Sequence, residues 1–587
     1  MTSVPLAAGR LRLEYDTGDL RNIRAGDLEI VRRIYVAFQD RNWTARPWQL
    51  EDESIEAGAD SFRILLRARG TFDASAFTWT AEITGAADSA VRYAIEGSTT
   101  EPFLRNRLGL CVLHPMAGFA GRSCTIVTAD GDVIESAFPD AISPHQPFLD
   151  VRAMEWPVGS DSRARLDFAG EVFETEDHRN WSDASYKTYC TPISLPFPVE
   201  VAPGDVIAQS VTLAVTGDLP DPEDRQASVT VTVEGAAVPL PRLGTQATDL
   251  PWGEAEMAAI AALGLDHLMA TVDATAEDCG TRLAALAALA QRLDVRLRVR
   301  FAGGDADDYA RIRDTVRDIA PLVDSWAVLH ADEKVTSTSR LEEARDVLGD
   351  DLPWCGGTDL YFTELNRQPP EQAGLAWASF SINPQVHAAD DRSVLQNAAA
   401  QEAIAADAPR VVGSARIAVG PVTLRPRFNP NATDPASDAS NTELPASVDA
   451  RQRTWFAAAW TLLSLRALTT PGTVDAVTYF EALGWRGLRE RDTGCADPGA
   501  FGSRAGEEFP VYGVLRDLRG ATALLPSRSD QPEVADAVVI EGVDDVLAFV
   551  VNMTSEARSV VLRGAVSATI GAAPQSVTLA RLPRRSP

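Results

Sequence analysis

Lysine is almost absent from this sequence. Of 54 basic residues only Lys187 and Lys334 are lysines. The 83 acidic residues outnumber the 54 basic residues, which gives a formal net charge of −29. Nucleic acids and anionic membrane surfaces are bound through cationic patches, so this charge balance argues against both as partners. A compact, titratable ammonium is not interchangeable with a guanidinium, which makes the two lysines candidates for a chemical role.

Long hydrophobic runs and paired cysteines are also missing. No stretch of about 18 apolar residues occurs, so no membrane-spanning helix is predicted. The N-terminal segment MTSVPLAAGRLRLEYD lacks the charged start and apolar core of a signal peptide. The six cysteines are scattered and form no Cys-x-x-Cys pair, which is typical of free thiols in a reducing compartment. The sequence therefore predicts a cytoplasmic location.

Several catalytic signatures are absent. The sequence has no Gly-x-Ser-x-Gly elbow, no Gly-x-x-x-x-Gly-Lys phosphate loop and no His-Glu-x-x-His zinc helix. With only six dispersed histidines, a transition-metal site is not expected. No cofactor and no metal ligand is therefore assigned, although Asp332, Asp359 and Glu364 leave a hard-metal site open.

Hydrophobic periodicity divides the sequence into three regions. Residues 1–238 show short alternating runs between turn signals, which predicts an all-β sandwich with Val229–Val233 as its last strand. Residues 239–504 alternate eight apolar runs with helical patterns, which predicts a (β/α)8 TIM-like barrel as the catalytic domain. Residues 505–587 return to strand-like runs, which predicts a small C-terminal all-β sandwich beginning with Val511–Leu515.

The positions of the barrel strands follow from the apolar runs. The predicted strands are Arg242–Thr248, His267–Val272, Val295–Phe301, Ser325–Leu329, Leu352–Thr358, Ala376–Ser381, Pro421–Pro426 and Ala476–Phe480. The polar, turn-rich segment 429–445 follows the seventh of them and is long enough to form a lid.

Two carboxylates follow barrel strands at the end where such barrels build their active sites. The fourth predicted strand leads into Glu333, and the eighth ends at Glu481. One ionised carboxylate can activate a water molecule, while a second carboxyl group kept protonated can donate to a leaving oxygen. Glu333 and Glu481 are therefore the predicted catalytic pair, with structural salt bridges as the alternative for each.

Further residues at these strand ends are predicted to bind substrate. They are His330, Tyr361, Asn383, His387 and Trp485. Aromatic rings such as Tyr361 and Trp485 suit stacking against a sugar-like ring, and His387 suits a role as ligand or base. Rim packing and hydrogen bonding to a loop carbonyl are the structural alternatives.

The densest group of polar residues lies at 171–191, in the segment EVFETEDHRNWSDASYKTYCT. A solvated loop is usually richer in glycine, serine and proline, whereas this mixture is typical of a site for a polyhydroxylated or anionic small molecule. The residues predicted to bind substrate here are Glu176, Asp177, Arg179, Asn180 and Lys187. They could reach the barrel mouth from the first domain; an interdomain salt-bridge cluster is the alternative.

Six longer stretches resemble the D-apionate lactonase family. They are GLCVLHPMAG at 109–118, FPDAISPHQPFLDVR at 138–152, EDHRNWSDASYKTYCTP at 176–192, HADE at 330–333, SINPQVHA at 381–388 and VTYFEALGWRG at 477–487. The resemblance spans nearly the full length, in the order β domain, barrel and small β domain. It implies hydrolysis of D-apionolactone to D-apionate in bacterial use of the plant sugar apiose.

The architecture is also similar to that of retaining glycoside hydrolases, which place one glutamate after strand four and another after strand seven. Here the second glutamate follows predicted strand eight, so either one strand too many is counted around 408–426 or the pairing differs. The leading interpretation is a metal-independent sugar lactonase. A glycoside hydrolase using Glu333 and Glu481 as acid/base and nucleophile, and a non-catalytic carbohydrate-binding protein, are the alternatives. The expected partner is a small sugar lactone or glycoside, and a homo-oligomer stays open.

Overall fold

A computed structural model describes residues 3–72, 75–219, 228–370, 374–428 and 444–584. Contacts divide these residues into two compact units. The first comprises residues 3–179 and 184–219, and the second comprises residues 180–183, 228–370, 374–428 and 444–584. The predicted lid at 429–445 lies almost wholly outside the described residues.

The first unit is built from β-strands, as its alternating pattern predicts. In the strand Phe62–Phe72 every second residue is buried, because successive side chains of a strand point to opposite faces. Among the described residues, seventeen strands join into one hydrogen-bonded sheet around an aliphatic and aromatic core. The strands are β1 (Val4–Ala8), β2 (Leu11–Asp16), β3 (Asp19–Ala25), β4 (Leu28–Asp40), β5 (Trp48–Ala57), β6 (Phe62–Phe72), β7 (Ser75–Ala86), β8 (Ala90–Thr99), β9 (Phe103–Pro115), β10 (Ser123–Thr128), β11 (Val133–Ala137), β12 (Phe148–Val158), β13 (Ser162–Ala169), β14 (Phe173–Asp177), β15 (Ser185–Tyr189), β16 (Val199–Val201) and β17 (Val206–Thr216).

The second unit contains a barrel and a smaller set of β-sheets. Its strands are β18 (Ser228–Val233), β19 (Val238–Pro239), β20 (Arg242–Gln246), β21 (His267–Asp273), β22 (Arg296–Ala302), β23 (Val323–Leu329), β24 (Trp354–Gly357), β25 (Trp377–Ile382), β26 (Arg416–Val422), β27 (Val474–Leu483), β28 (Gly487–Arg489), β29 (Ala523–Leu525), β30 (Ser527–Ser529), β31 (Ala535–Glu541), β32 (Asp545–Asn552), β33 (Arg558–Gly564), β34 (Ala568–Ala572) and β35 (Ser576–Pro583). Its helices are α1 (Glu254–Ala262), α2 (Cys279–Leu293), α3 (Ala306–Ile319), α4 (Thr338–Leu348), α5 (Phe362–Arg367), α6 (Asp391–Asn397), α7 (Ala400–Val412), α8 (Trp455–Thr469) and α9 (Pro510–Asp517).

The strands β20 to β27 form the predicted eight-stranded parallel barrel. Each pairs in parallel with the next, and β20 also pairs with β27, which closes the ring. Helix α3 shows how the sequence specifies the outer layer. The carboxylate of Asp305 caps its N-terminus by accepting from the backbone N–H groups of Asp307 and Asp308, and a buried stripe recurs with helical spacing. The predicted barrel is confirmed.

The seventh barrel strand was predicted at the wrong place. It is Arg416–Val422 rather than Pro421–Pro426. Proline lacks a backbone N–H and is tolerated at a strand edge or end, so Pro421 sits near the end of this strand rather than at its beginning. The count of eight strands stands, and Glu481 lies on the eighth.

One predicted strand belongs to a different sheet, and another predicted strand is a helix. The segment Val229–Val233 lies in β18, which pairs in parallel with β33 and antiparallel with β30, so it belongs to the C-terminal sheets. The segment Val511–Leu515 lies in the helix α9, which begins with Pro510 at a position where proline is favoured. A short apolar run does not distinguish strand from helix by periodicity alone, and alternation does not identify the partner strand.

The C-terminal strands form two sheets around one core, which confirms the predicted small sandwich. They belong to the same unit as the barrel. A guanidinium nitrogen of Arg466 in α8 lies 2.7 Å from a carboxylate oxygen of Asp536 in β31, and Asp536 is buried. All six cysteines lie among the described residues and are free, as predicted. No helix in the described ranges combines the length and the apolar character that crossing a bilayer requires.

Candidate active site at the barrel mouth

Polar side chains from three neighbouring strands follow the C-terminal ends of β24, β25 and β26. Asp359 and Tyr361 come after β24, Asn383 and His387 after β25, and Arg427 after β26. Because the strands are parallel, these segments leave the barrel at the same end, where barrel enzymes carry their catalytic groups.

The imidazole of His387 is held by a carboxylate that the sequence analysis did not select. The Nδ1 atom of His387 lies 2.6 Å from Oδ2 of Asp183, and Oδ1 of Asp183 accepts a hydrogen bond from the side-chain amide of Asn397 at 2.7 Å. The side chain of Asp183 is only 6% exposed. With Asp183 ionised, Nδ1 donates to it and Nε2 becomes the basic nitrogen. The pair therefore has the arrangement of an oriented general base.

An aromatic wall lies beside this pair. The ring of Trp181 packs edge-on against His387 and Tyr361, with centroid distances of 6.1 Å and 5.7 Å. The hydroxyl of Tyr361 is hydrogen-bonded to Asn383, and burial raises the pKa of Tyr361 above its ordinary value. Tyr361 therefore stays protonated at neutral pH and remains a hydrogen-bond donor.

The carboxylate of Asp359 is shared by two arginines. It pairs with Arg300, and a guanidinium nitrogen of Arg427 lies 2.8 Å from Oδ1 and 2.7 Å from the backbone oxygen of Asp359. Burial alone would raise the pKa of Asp359, but the two guanidiniums outweigh it and hold that pKa below its ordinary value. This arrangement fixes Arg427 and leaves the group as a whole with excess positive charge.

A small recess opens to solvent beside Glu481. Besides Glu481, its polar lining consists of Gln246, Thr423, Arg425, Arg427, Ser447, Asp449, Gln452 and Arg486. A carboxylate oxygen of Glu481 lies 2.8 Å from a guanidinium nitrogen of Arg486, whose other terminal nitrogen donates to the hydroxyl of Ser447 at 3.0 Å. The recess therefore presents a ring of charged groups at the ends of β20, β26 and β27.

The backbone next to Glu481 is strained. Phe480 has a φ of 52°, in the left-handed region that bulky residues rarely adopt. That conformation costs roughly 1–2 kcal/mol, and such strain is concentrated at functional sites. The hydroxyl of Thr245 donates to the backbone oxygen of Phe480 at 3.1 Å and helps to hold it. The strain sets the direction in which Glu481 leaves the strand.

Glu333 lies in the loop before helix α4 and binds Ser337, the N-cap residue of that helix. Its carboxylate accepts hydrogen bonds from the backbone N–H of Ser337 at 3.0 Å and from the Ser337 hydroxyl at 2.7 Å. A helix N-terminus has unsatisfied N–H groups and favours a negative charge. Within the described ranges no ion pair or hydrogen bond joins Glu333 to Glu481. The bonds to Ser337 give Glu333 a structural task, and a catalytic role for Glu333 and Glu481 stays a prediction.

Replacing Glu333 with alanine should lower the free energy of unfolding by about 1 kcal/mol, because Ser337, the N-cap residue of α4, loses the carboxylate that accepts its hydrogen bonds. We expect only a modest change in kcat, whereas a catalytic acid would cost at least about 10² in kcat. Urea unfolding and initial rates measure the two quantities. Glu342→Ala, at an exposed position of the same helix, is the control, and a collapse of kcat with unchanged stability would support the predicted catalytic role.

Three further residues predicted to bind substrate, His330, Trp485 and Asn180, differ in burial and in their contacts. The Nε2 atom of His330 is buried and lacks a hydrogen-bond partner within the described part of the chain. Trp485 packs against Phe501 at a centroid distance of 6.3 Å and is partly exposed. The side chain of Asn180 is buried and accepts a hydrogen bond from the amide of Asn366 at 3.0 Å. Roles in substrate binding stay predictions for all three.

The carboxylates considered for a hard metal each pair with a cationic side chain. Asp332 lies 3.6 Å from Arg340, and Glu364 lies 3.4 Å from Lys334, while Asp359 is held by its two arginines. These ion pairs account for the negative charges without a metal.

Four predicted binding residues lie in the first unit, in the strands β14 and β15 and just after β14. Asp177 and Arg179 form a buried ion pair at 2.7 Å, and Arg179 also donates to the backbone oxygens of Pro139 and Asp140. These bonds give Arg179 a structural task.

The other two residues, Glu176 and Lys187, pair across the two strands at 3.2 Å. Contact of these four residues with substrate stays a prediction.

Comparison with known proteins assigns the family. Residues 1–218 match the family model described as D-apionate lactonase, N-terminal domain, and residues 242–523 match that described as D-apionate lactonase, TIM barrel domain. The chain belongs to the D-apionate lactonase family. The resemblance read from the sequence is thereby confirmed, together with the hydrolase class that it implies.

A curated relative supports the family assignment over almost the whole length. The D-apionate lactonase of Brucella anthropi is 27% identical over 598 aligned residues, which cover 94% of this chain and 93% of the relative.

Solved structures give only distant likenesses. A family 51 α-L-arabinofuranosidase from Bifidobacterium longum is 10% identical, with a TM-score of 0.40 over 61% of this chain and 98% of that chain. A glycoside hydrolase family 30 subfamily 8 xylanase from Clostridium acetobutylicum is 11% identical, with a TM-score of 0.37 over 61% of this chain and 97% of that chain. These likenesses are too weak to bear on the substrate of a lactonase family member.

The sequence pointed to His387 but not to Asp183, the carboxylate that binds its imidazole. His387 was selected because it follows a barrel strand. Asp183, and with it Trp181, lies in the polar segment at 171–191, so the composition pointed to the right stretch but not to these two residues. The clustering of acids, aromatics and amides there was the available signal.

Proposed function

We propose that this protein hydrolyses a sugar lactone to its hydroxy acid, and that the lactone of D-apionate is the first substrate to test. The family descriptions and the curated relative carry that name. The observation in this chain that supports the proposal best is the pair formed by His387 and Asp183. Lactone hydrolysis needs a base that takes a proton from water, and an imidazole oriented by a buried carboxylate provides one.

The reaction follows from the placement of these groups. Nε2 of His387 takes a proton from a water molecule while the water oxygen attacks the carbonyl carbon. The negative charge that develops on the carbonyl oxygen is met by a fixed cation, for which Arg427 is the candidate. The carbon–oxygen bond of the ring then breaks, and His387 returns the proton to the leaving ring oxygen. The product acid ionises at neutral pH and releases one proton.

The aromatic wall and the neighbouring donors suit the rest of such a substrate. Trp181 and Tyr361 offer ring faces and edges, and Tyr361 and Asn383 offer hydrogen-bonding groups for sugar hydroxyls. Glu481 is the second candidate for the base, because it lines the recess. It is the weaker candidate, because its carboxylate is already engaged by the guanidinium of Arg486.

The partner and location follow the sequence-based predictions. A small sugar-derived substrate agrees with the family. A cytoplasmic location remains the prediction, which the free cysteines support. The exclusion of nucleic acid and membrane partners rests on the charge balance, and the oligomeric state stays open.

The first experiment is proton release at constant pH after chelator-treated protein is mixed with D-apionolactone. We expect one proton per lactone consumed, at a rate proportional to protein concentration. A panel of aryl glycosides runs alongside and should not be cleaved. Glycoside cleavage without lactone turnover would replace this proposal with the glycoside hydrolase alternative.

A further inference from the structure

The recess beside Glu481 is rich in positive charge although the protein as a whole is acidic. Arg425, Arg427 and Arg486 line it, in a chain with a formal net charge of −29. Arginine presents planar pairs of N–H donors that match the two oxygens of a carboxylate. Three such side chains around one opening are therefore suited to binding an anion.

The two carboxylates in the lining are already engaged. Asp449 accepts two parallel hydrogen bonds from Arg451, at 2.9 Å and 2.8 Å, and one from Gln385 at 2.6 Å. Burial opposes ionisation of Asp449, but these bonds outweigh it and lower its pKa to about 2. Glu481 is bound by Arg486 at 2.8 Å. Because each carboxylate is bound by another arginine, neither fully neutralises the charges of Arg425 and Arg427.

Donors on the arginines remain unused. The Nε atoms of Arg425 and Arg486 are buried and lack a hydrogen-bond partner among the described residues. The side chain of Arg425 is 40% exposed, and its Nε atom lies 3.4 Å from the nearest oxygen of Asp449, too long for a strong bond. Arg427 shares Asp359 with Arg300, so one carboxylate serves two cations.

We infer that this recess binds the carboxylate of a sugar acid, which is the open-chain product of the reaction. The inference rests on the proposed function and names the class of ligand that the site holds after ring opening. The neutral lactone has no full negative charge, so the arginines favour the hydroxy acid over the lactone. The protein should consequently be inhibited by its own product.

One side chain connects the recess with the oriented base. Arg427 lines the recess and also acts electrostatically on the hydroxyl of Tyr361, which is within the field of Asp183 as well. The same arginine that meets the oxyanion during the reaction then holds the product carboxylate.

Calorimetric titration of the full-length protein with D-apionate tests the inference without turnover. The uncharged polyol with the same carbon skeleton is the matched ligand. We expect saturable binding of D-apionate and at least about tenfold weaker binding of the polyol, because charge-assisted hydrogen bonds to arginine distinguish the two. Equal affinity for both ligands, or no binding of D-apionate, would overturn the inference.

Substitutions locate the site. Arg425→Gln should weaken D-apionate binding about tenfold or more, and Arg425→Lys, which keeps the charge, should recover part of the loss. Arg317→Gln changes a 73% exposed arginine of the barrel and should leave the affinity unchanged. An Arg425→Gln variant with unaltered affinity contradicts the inference. Binding of D-apionate by a protein that does not turn over the lactone would sink the proposed function and leave this inference intact.

Discussion

Replacing His387 with alanine should lower kcat for lactone hydrolysis by about 10²–10⁴-fold, the range that a general base contributes. KM should change little, because the imidazole acts on water rather than on the sugar. The readout is the initial rate of proton release at saturating lactone. Added imidazole should restore part of the rate in His387→Ala, since a small base can enter the space left by the side chain.

Asp183 should act through His387. In Asp183→Asn the carboxylate that accepts from Nδ1 becomes an amide, so the imidazole loses the partner that fixes its tautomer, and kcat should fall at least about tenfold with KM nearly unchanged. Asp350→Asn, at an 86% exposed position, is the control for the chemical change. A His387→Ala variant with normal turnover would exclude this base and direct attention to Glu481.

Two buried histidines should each contribute a loss of about 2 kcal/mol to the free energy of unfolding on acidification from pH 7 to pH 5. His114 in the first unit and His267 in the barrel are fully buried, and burial lowers their pKa values to about 3 and about 4. Once unfolded, both titrate near the ordinary value of 6.5. The folded state therefore binds fewer protons, and stability present above about pH 6.5 is lost as pH falls through the folded values.

Urea unfolding at the two pH values measures this effect. In His114→Gln the loss of stability in the first unit between pH 7 and pH 5 should shrink by about 2 kcal/mol, even though the variant starts from lower stability, since the Nε2 atom of His114 is 2.8 Å from the hydroxyl of Thr188. His145→Gln, at an exposed position of the same unit, should keep the dependence of the parent protein. The same slope in parent and His114→Gln would show that the buried histidine is not the cause.

Much of the fold was open to prediction because it depends on local patterns. Burial on alternate residues identified the strands of the first unit, and alternation of apolar runs with helical periods identified the barrel. The wrong predictions concern segments whose hydrophobic pattern fits more than one structure. A run such as Val511–Leu515 suits a strand or a short helix, and only packing chose the helix. The strand Ser228–Val233 was recognised as a strand, but its partner β33 begins more than three hundred residues later.

By itself, the sequence determined the family, the order of the domains and the barrel, and it placed His387, Tyr361 and Glu481 at strand ends. Those features depend on periodicity and on long motifs, which are properties of neighbouring residues. Only the tertiary structure decided which side chains act together. It joined His387 to Asp183 across 204 positions, bound Glu333 to the start of a helix, and gathered arginines from separate segments around one recess. The residue type determines the chemistry of each side chain, whereas the distance between two side chains far apart in sequence is set only when the chain folds.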